Sequence, residues 1–295
     1  MDLTRPSELK PFLAAHGLHL SKRFGQNFLI DRNHLMRVVE TADVRPDDLL
    51  FEIGPGVGTL TVELAQRAAK VLSVELDRGV LPALRETTAP YSNVEIVEGD
   101  ALRLDLPTFL PERWGVPSEN ALGKVAANIP YNITSPILVL LLENRRFFRS
   151  VTLMVQREVA DRLRAKPGSD DYGALSVFVQ FHAAVSVAGI VPRRAFFPPP
   201  KVDSAVIHLV PYATPPVETP DPDLFLLISR AAFGQRRKTL QNALTNAGTL
   251  PFDRERILAA LAASGVDGQR RGETLSLEEF AAISRVLYAL KTAVH

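Results

Sequence analysis

Three short segments carry residue types that together could hold and orient a nucleoside. Glycines recur at alternate positions in Glu52-Ile53-Gly54-Pro55-Gly56-Val57-Gly58-Thr59, where a β-branched run gives way to a helix-compatible one. Backbone there can approach a ligand closely. A dinucleotide fingerprint needs its third glycine three residues after the second, which is Thr59 here, whereas the glycine falls at Gly58; NAD is thereby disfavoured. The next apolar run ends in Glu75 and Leu76, with Glu75 21 residues beyond Gly54. A carboxylate at such a strand tip is placed to accept hydrogen bonds from both ribose hydroxyls. A third run leads to Gly99-Asp100-Ala101, where Asp100 could accept from the exocyclic amine of an adenine while Ala101 keeps the ring slot shallow. The fourth ends in Asn128-Ile129-Pro130-Tyr131, a polar-x-Pro-aromatic turn at the edge where open α/β sheets bind ligands. Glycine turns and strand-end acids are individually common; their ordered succession is what points to a ligand cleft.

The elements that would position these residues are legible in the rhythm of the chain. From Leu49 to Val210, the runs L-L-F-E-I, K-V-L-S-V-E, N-V-E-I-V, K-V-A-A-N, S-V-T-L-M-V and V-S-V-A-G-I-V alternate with longer helix-compatible stretches. This predicts an α/β fold, a Rossmann-like sheet with helices on both faces. Alternation of Val202, Ser204, Val206, His208 and Val210 predicts a late antiparallel strand closing that sheet. Five prolines between Pro211 and Pro222 mark a linker. We therefore expect one domain over 1–213 and a second over 214–295. The second reads as a small all-α domain, with helical spacing over Asp223–Phe233, Lys238–Asn246, Asp253–Ala263 and Ser276–Lys291, and a capping box from Ser276 to Glu279.

Composition narrows the functional classes. The chain has 295 residues, 34 Lys+Arg against 33 Asp+Glu, and no cysteine. Disulfide scaffolds, Cys-ligated metals and cysteine nucleophiles are excluded, and a reducing cytoplasm is the expected setting. Of the basic residues 26 are Arg, several of them clustered, as in Arg145, Arg146 and Arg149 or Arg236, Arg237 and Lys238. Local basic patches therefore matter more than the global balance. The N-terminus carries charges where a signal peptide needs an apolar core, and apolar runs such as Ile137 to Leu142 are far too short to span a membrane, so no membrane partner is expected.

The Asn-Ile-Pro-Tyr turn resembles that of amino-methyltransferases acting on nucleic-acid bases. An adenine amine is a poor nucleophile because its lone pair is delocalised into the ring. Asn128 Oδ1 and a backbone carbonyl of the turn can accept its N–H bonds and favour a pyramidal nitrogen, so that orientation and hydrogen bonding supply most of the catalysis. Tyr131 offers a face on which an extruded base can stack, worth roughly 1–3 kcal/mol. Five blocks extend the likeness: Lys22-Arg23-Phe24-Gly25-Gln26-Asn27-Phe28-Leu29, E-I-G-P-G-V-G-T-L-T from Glu52, N-I-P-Y-N-I from Asn128, F-F-P-P-P-K-V-D-S-A-V from Phe196 and F-G-Q-R-R-K-T-L from Phe233. Over nearly its whole length the chain resembles the ribosomal RNA adenine dimethyltransferase family, in its bacterial small-subunit branch.

That resemblance implies an S-adenosylmethionine-dependent methyltransferase sheet, with S-adenosyl-L-methionine as donor. The implied target is a pair of adjacent adenosines near the 3′ end of 16S rRNA in the immature 30S subunit, each dimethylated at N6. It places Gln26, Asn27 and Leu29 at the methionine end of the donor, Gly54 and Gly56 in its loop, Glu75 and Leu76 at the ribose, and Asp100 and Ala101 at the adenine. Asn128, Pro130 and Tyr131 form the reaction centre, with Phe196 stacking opposite Tyr131. Read without the family, Gln26-Asn27-Phe28 precedes a helix starting near Asp31, where polar residues are usually caps. Lys22, Arg23, Lys201, Arg236, Arg237 and Lys238 are candidate phosphate contacts, although such runs commonly form a solvated basic face. The protein is expected to act as a monomer.

Other signals are set aside. Asn132-Ile133-Thr134 matches a glycosylation acceptor but lies inside the proposed active turn. His16 and His19 lack further ligands for a metal, and none is expected. Rival readings are a large-subunit rRNA adenine methyltransferase conferring resistance, a non-catalytic assembly or transcription factor on the same fold, and a DNA adenine methyltransferase.

Overall fold

The computed structural model describes residues 1–18, 27–235 and 237–292. The chain forms two compact units, one of Met1–Ala160 with Ala184–Pro211, the other of Asp161–Ala183 with Tyr212–His295. The first contains nine strands among the described residues: β1 (Phe28–Leu29), β2 (Leu49–Ile53), β3 (Lys70–Glu75), β4 (Val94–Glu98), β5 (Gly123–Asn128), β6 (Phe148–Gln156), β7 (Ala183–Val191), β8 (Phe196–Phe197) and β9 (Ser204–Pro211). Seven of them form one sheet in the order β4-β3-β2-β5-β6-β9-β7. Strands β2 to β6 pair in parallel, and β9 runs antiparallel to β6 with Gln156 opposite Ser204. The separate ribbon pairs β1 with β8, Phe28 opposite Phe197 and Leu29 opposite Phe196.

Burial explains this order. Central strands covered on both faces need continuous apolar or small residues, as in Val71, Leu72 and Val74 of β3 and Val125, Ala126 and Ala127 of β5, all inaccessible or nearly so. Strand β7 instead alternates half-buried and exposed positions, as suits an edge. Helix Arg32–Thr41 covers one face, inserting Leu35, Val38 and Val39 among Leu64, Val71, Met154 and Val206. It begins where expected, because Asp31 caps it by accepting from the amides of Asn33 and His34. No helix among the described residues is long and apolar enough to cross a membrane.

The second unit holds helices Ala174–His182, Pro222–Gly234, Leu240–Thr245, Arg254–Ser264 and Leu277–Thr292. Ser276 and Glu279 form a reciprocal capping box at the start of the last one. An aromatic core accounts for the grouping of Asp161–Ala183 with the C-terminal helices. Phe181 stacks on Phe225 at 4.5 Å, and Tyr172 meets Phe233 edge-on at 5.7 Å. The Gln180 amide closes the segment by donating to the carbonyls of Leu163 and Ala165. Asp161–Ala183 therefore folds with the helices, although the sequence embeds it between two strands of the sheet.

Candidate active site

The carboxyl ends of β2, β3, β4 and β5 open onto a cavity of about 370 Å³. Gly54, Gly56 and Gly58 all have positive φ, at 69°, 58° and 85°, a region that side chains with a Cβ rarely adopt. All three also sit against neighbours, Gly58 against Leu84 and Thr87 and the other two against elements that wall the cavity. A Cβ on Gly54 would lie 3.3 Å from Pro130 Cδ, and one on Gly56 would lie 3.3 Å from the Phe28 ring. The glycine turn is thus packed between the Asn-Ile-Pro-Tyr turn and the β1 ribbon.

Glu75 ties the turn to the tip of β3. Its Oε2 accepts from the Gly56 amide at 3.0 Å and its Oε1 from the Asp77 amide at 2.8 Å. Burial raises its pKa above the ordinary carboxylate value, with those amides opposing the shift. Each oxygen has a second lone pair, so the carboxylate retains capacity for two hydroxyl donors. Asp100 also lines the cavity; its Oδ1 caps the turn Ala101–Arg103 through the Leu102 amide. Ala101 is buried below it, and Leu76, 53% exposed, forms an apolar lip.

Asn128 ends β5 in the cavity wall, and its Nδ2 donates to the Asn27 carbonyl at 3.3 Å. A carbonyl can only be satisfied by a donor, which leaves Oδ1 as the atom available to accept an N–H. Next in the turn, the carbonyls of Pro130 and Tyr131 accept from the Ile133 amide and Thr134 Oγ1, leaving the Ile129 carbonyl as the candidate second acceptor. The Tyr131 hydroxyl is hydrogen-bonded to Ser204 Oγ of β9, and burial raises its pKa. That bond anchors the hydroxyl end of the ring against β9.

Sequence reasoning gave no role to Ser204 or Glu52. Ser204 is fully buried and lies within the Phe196 block, but its partner is 73 positions away. Glu52 is 1% exposed one residue before the end of β2, accepts from Ser73 Oγ at 2.7 Å and borders the cavity. Desolvation pushes it up to about 7. Its signal was an acid inside an otherwise apolar parallel strand.

Of the expected site residues, Asn27, Leu29, Gly54, Gly56, Glu75, Leu76, Asp100, Ala101, Asn128, Pro130 and Tyr131 border this one cavity. Phe196 does not. Expected opposite Tyr131, it is 2% exposed and packs with Leu29, Val38 and Val206, because pairing with Leu29 turns it into the core. Gln26, Lys22, Arg23 and Arg236 lie outside the described residues. Lys201 is exposed just before β9 in the first unit, and Arg237 and Lys238 are exposed between two helices of the second.

An open sheet with a glycine turn, an acid at the neighbouring strand tip and a polar turn closing the same cavity defines a Rossmann-like methyltransferase. More particularly, the chain belongs to the ribosomal RNA adenine dimethylase family, whose model matches residues 17–288. It is 46% identical over 292 residues to the ribosomal RNA small subunit methyltransferase A of Geobacillus kaustophilus (strain HTA426), covering 98% of each chain. Among solved structures it resembles a dimethyladenosine transferase from Plasmodium falciparum, with a TM-score of 0.71, 26% identity and coverage of 87% of this chain and 95% of that one. It also resembles the 23S rRNA methyltransferase ErmE, with a TM-score of 0.64, 31% identity and coverage of 89% and 100%.

Proposed function

We propose that this protein transfers methyl groups from S-adenosylmethionine to N6 of two adjacent adenosines near the 3′ end of 16S rRNA, acting as a cytoplasmic monomer on the immature 30S subunit. One observation carries the reading: a nucleoside cradle and an amine-accepting turn wall the same cavity, with Pro130 3.3 Å from where a Cβ on Gly54 would stand. The substrate follows from the family and from the name of the G. kaustophilus relative.

The residues fit the donor. Glu75 retains acceptors for a ribose diol, Asp100 for an adenine amine, and Leu76 and Ala101 supply apolar surface for a purine. When bound, S-adenosylmethionine supplies an electrophilic methyl group on a positively charged sulfur. Asn128 Oδ1 and the Ile129 carbonyl accept the two N–H bonds of the target amine, drawing its lone pair out of conjugation. Tyr131, held by Ser204, stacks on the base. Once alkylated the amine is strongly acidic, so no dedicated base is needed. For the second transfer only one N–H remains, and the two acceptors must share it; the pocket has to admit a monomethyl amine on the same nitrogen.

The test uses radiolabelled donor with undermethylated 30S particles, large-subunit RNA and adenine-containing duplex DNA. Incorporation into the 30S particles, resolved as dimethyladenosine, is the expected result. Label confined to large-subunit RNA or DNA, or none at all, overturns it.

A further inference from the structure

Around strand β8 and the end of β7 the first unit carries exposed cations that form no ion pair among the described residues, namely Lys10, Arg37, Arg193, Arg194 and Lys201. Three of them flank strand β8 in sequence, Arg193 and Arg194 just before it and Lys201 in the turn after it. Lys10 Nζ lies 4.9 Å from the centre of the Phe197 ring, on the same strand. Phe197 is paired with Phe28, which lines the cavity. Arg37 joins them from helix Arg32–Thr41: its guanidinium lies against Gly189, where a Cβ would collide with it. Gly189 is close to the end of β7, from which the chain runs through Pro192 into Arg193. The nearest acid in sequence, Asp203, is engaged through Oδ1 by the Arg193 backbone amide.

Unpaired cations gathered around β8 and the end of β7 repel each other, and the ligand that relieves this is a polyanion. We propose that this ridge binds the RNA phosphates flanking the target adenosine, holding the backbone while the base turns into the cavity. The inference rests on the function proposed above. It adds Lys10, Arg37, Arg193 and Arg194 as positioning groups for the substrate. Phosphate contacts set register without reading sequence, and an arginine fork suits them. A base extruded beside Tyr131 needs its backbone anchored next to the opening.

The test compares wild type with R193A/R194A in methylation of undermethylated 30S particles over a series of salt concentrations. Donor calorimetry and thermal unfolding serve as controls. Two lost phosphate contacts should make the slope of log(kcat/KM) against log[salt] shallower by about 1.5. KM for the particles should rise about tenfold near 0.15 M salt, with kcat, donor affinity and unfolding midpoint unchanged. R193K/R194K, which keeps the charge, should restore the slope. If R193A/R194A proves unstable, K10A/K201A reads the same quantity. A KM within twofold of wild type together with an unchanged slope overturns the ridge. Wild type that transfers no methyl to the particles overturns instead the function on which it rests.

Discussion

Asn128 divides one amide between two tasks: Nδ2 ties the catalytic turn to the Asn27 carbonyl, and Oδ1 is left for the substrate. Asn128→Ala removes both. Transfer should fall by about 10²–10³-fold, the scale of losing a preorganised hydrogen-bonding partner. Donor affinity, measured by calorimetry, should stay within a few-fold, and single-turnover assays separate the two effects. Glu75→Ala should do the opposite, weakening donor binding about a hundredfold as two charge-assisted hydrogen bonds are lost; unchanged calorimetry would remove Glu75 from the donor site. Glu52 yields a pH prediction. Its folded pKa is raised from 4.5 to about 7 by burial, so the fold prefers the neutral acid. This contribution to stability is complete below about pH 4.5 and is lost as the pH rises through 7, by roughly 3 kcal/mol. Glu52→Gln should lack that loss, so the stability difference between wild type and variant in denaturant titrations should change by this amount from pH 4 to 8. A pH-independent difference would contradict the shift.

At the scale of elements, the site depends on β9 as much as on the parallel strands. Three bonds gather the end of the sheet: the Arg157 amide donates to the Asp203 carbonyl, the Arg193 amide to Asp203 Oδ1, and Ser204 bonds the Tyr131 hydroxyl. Ser204→Ala should leave donor affinity unchanged and raise KM for the RNA about tenfold, because the stacking ring loses its tether while the glycine turn is untouched. The same KM for variant and wild type would show that the bond does not hold the ring in place for the base. Gly54→Ala acts through the other contact. Its φ of 69° costs an L side chain about 1–2 kcal/mol, and the new methyl crowds Pro130. Donor affinity and turnover should therefore fall together. The glycine turn was legible because its pattern is local, and Glu75 and Asp100 were legible because both end apolar strand runs. Ser204 was legible only as a position in the alternating late strand and in the Phe196 segment, since nothing near it in sequence indicates a tyrosine hydroxyl 73 positions away.

At the scale of the molecule, the chain folds as two units, and the second takes one segment from within the sheet's stretch of sequence. The sheet unit gives up Asp161–Ala183, and the helical unit uses Phe181 and Tyr172 from it to complete an aromatic core with Phe225, Phe233 and Phe280. Phe181→Ala should destabilise the helical unit by about 3–5 kcal/mol, as expected for emptying a stacked aromatic site. Hydrogen exchange should then rise in Pro222–Gly234 and Leu277–Thr292 before it rises in β2, β3 and β5. Uniform loss of protection would show that this segment is not particular to the helical core.

What the sequence determined by itself is whatever is written within one element or at its end. That includes the order of strands and helices, the turn with glycines at alternate positions, the acids at two strand tips, the Asp31 cap and the Ser276–Glu279 capping box. Backbone conformation and local hydrogen bonds decide these over a few residues. Only the tertiary structure decided that Phe196 enters the core, that Ser204 holds Tyr131, that Arg37 reaches Gly189, and that Asp161–Ala183 leaves the sheet for the helices. Each of those outcomes is set by which surface another element presents across a long stretch of chain, and hydrophobic packing has no sequence range.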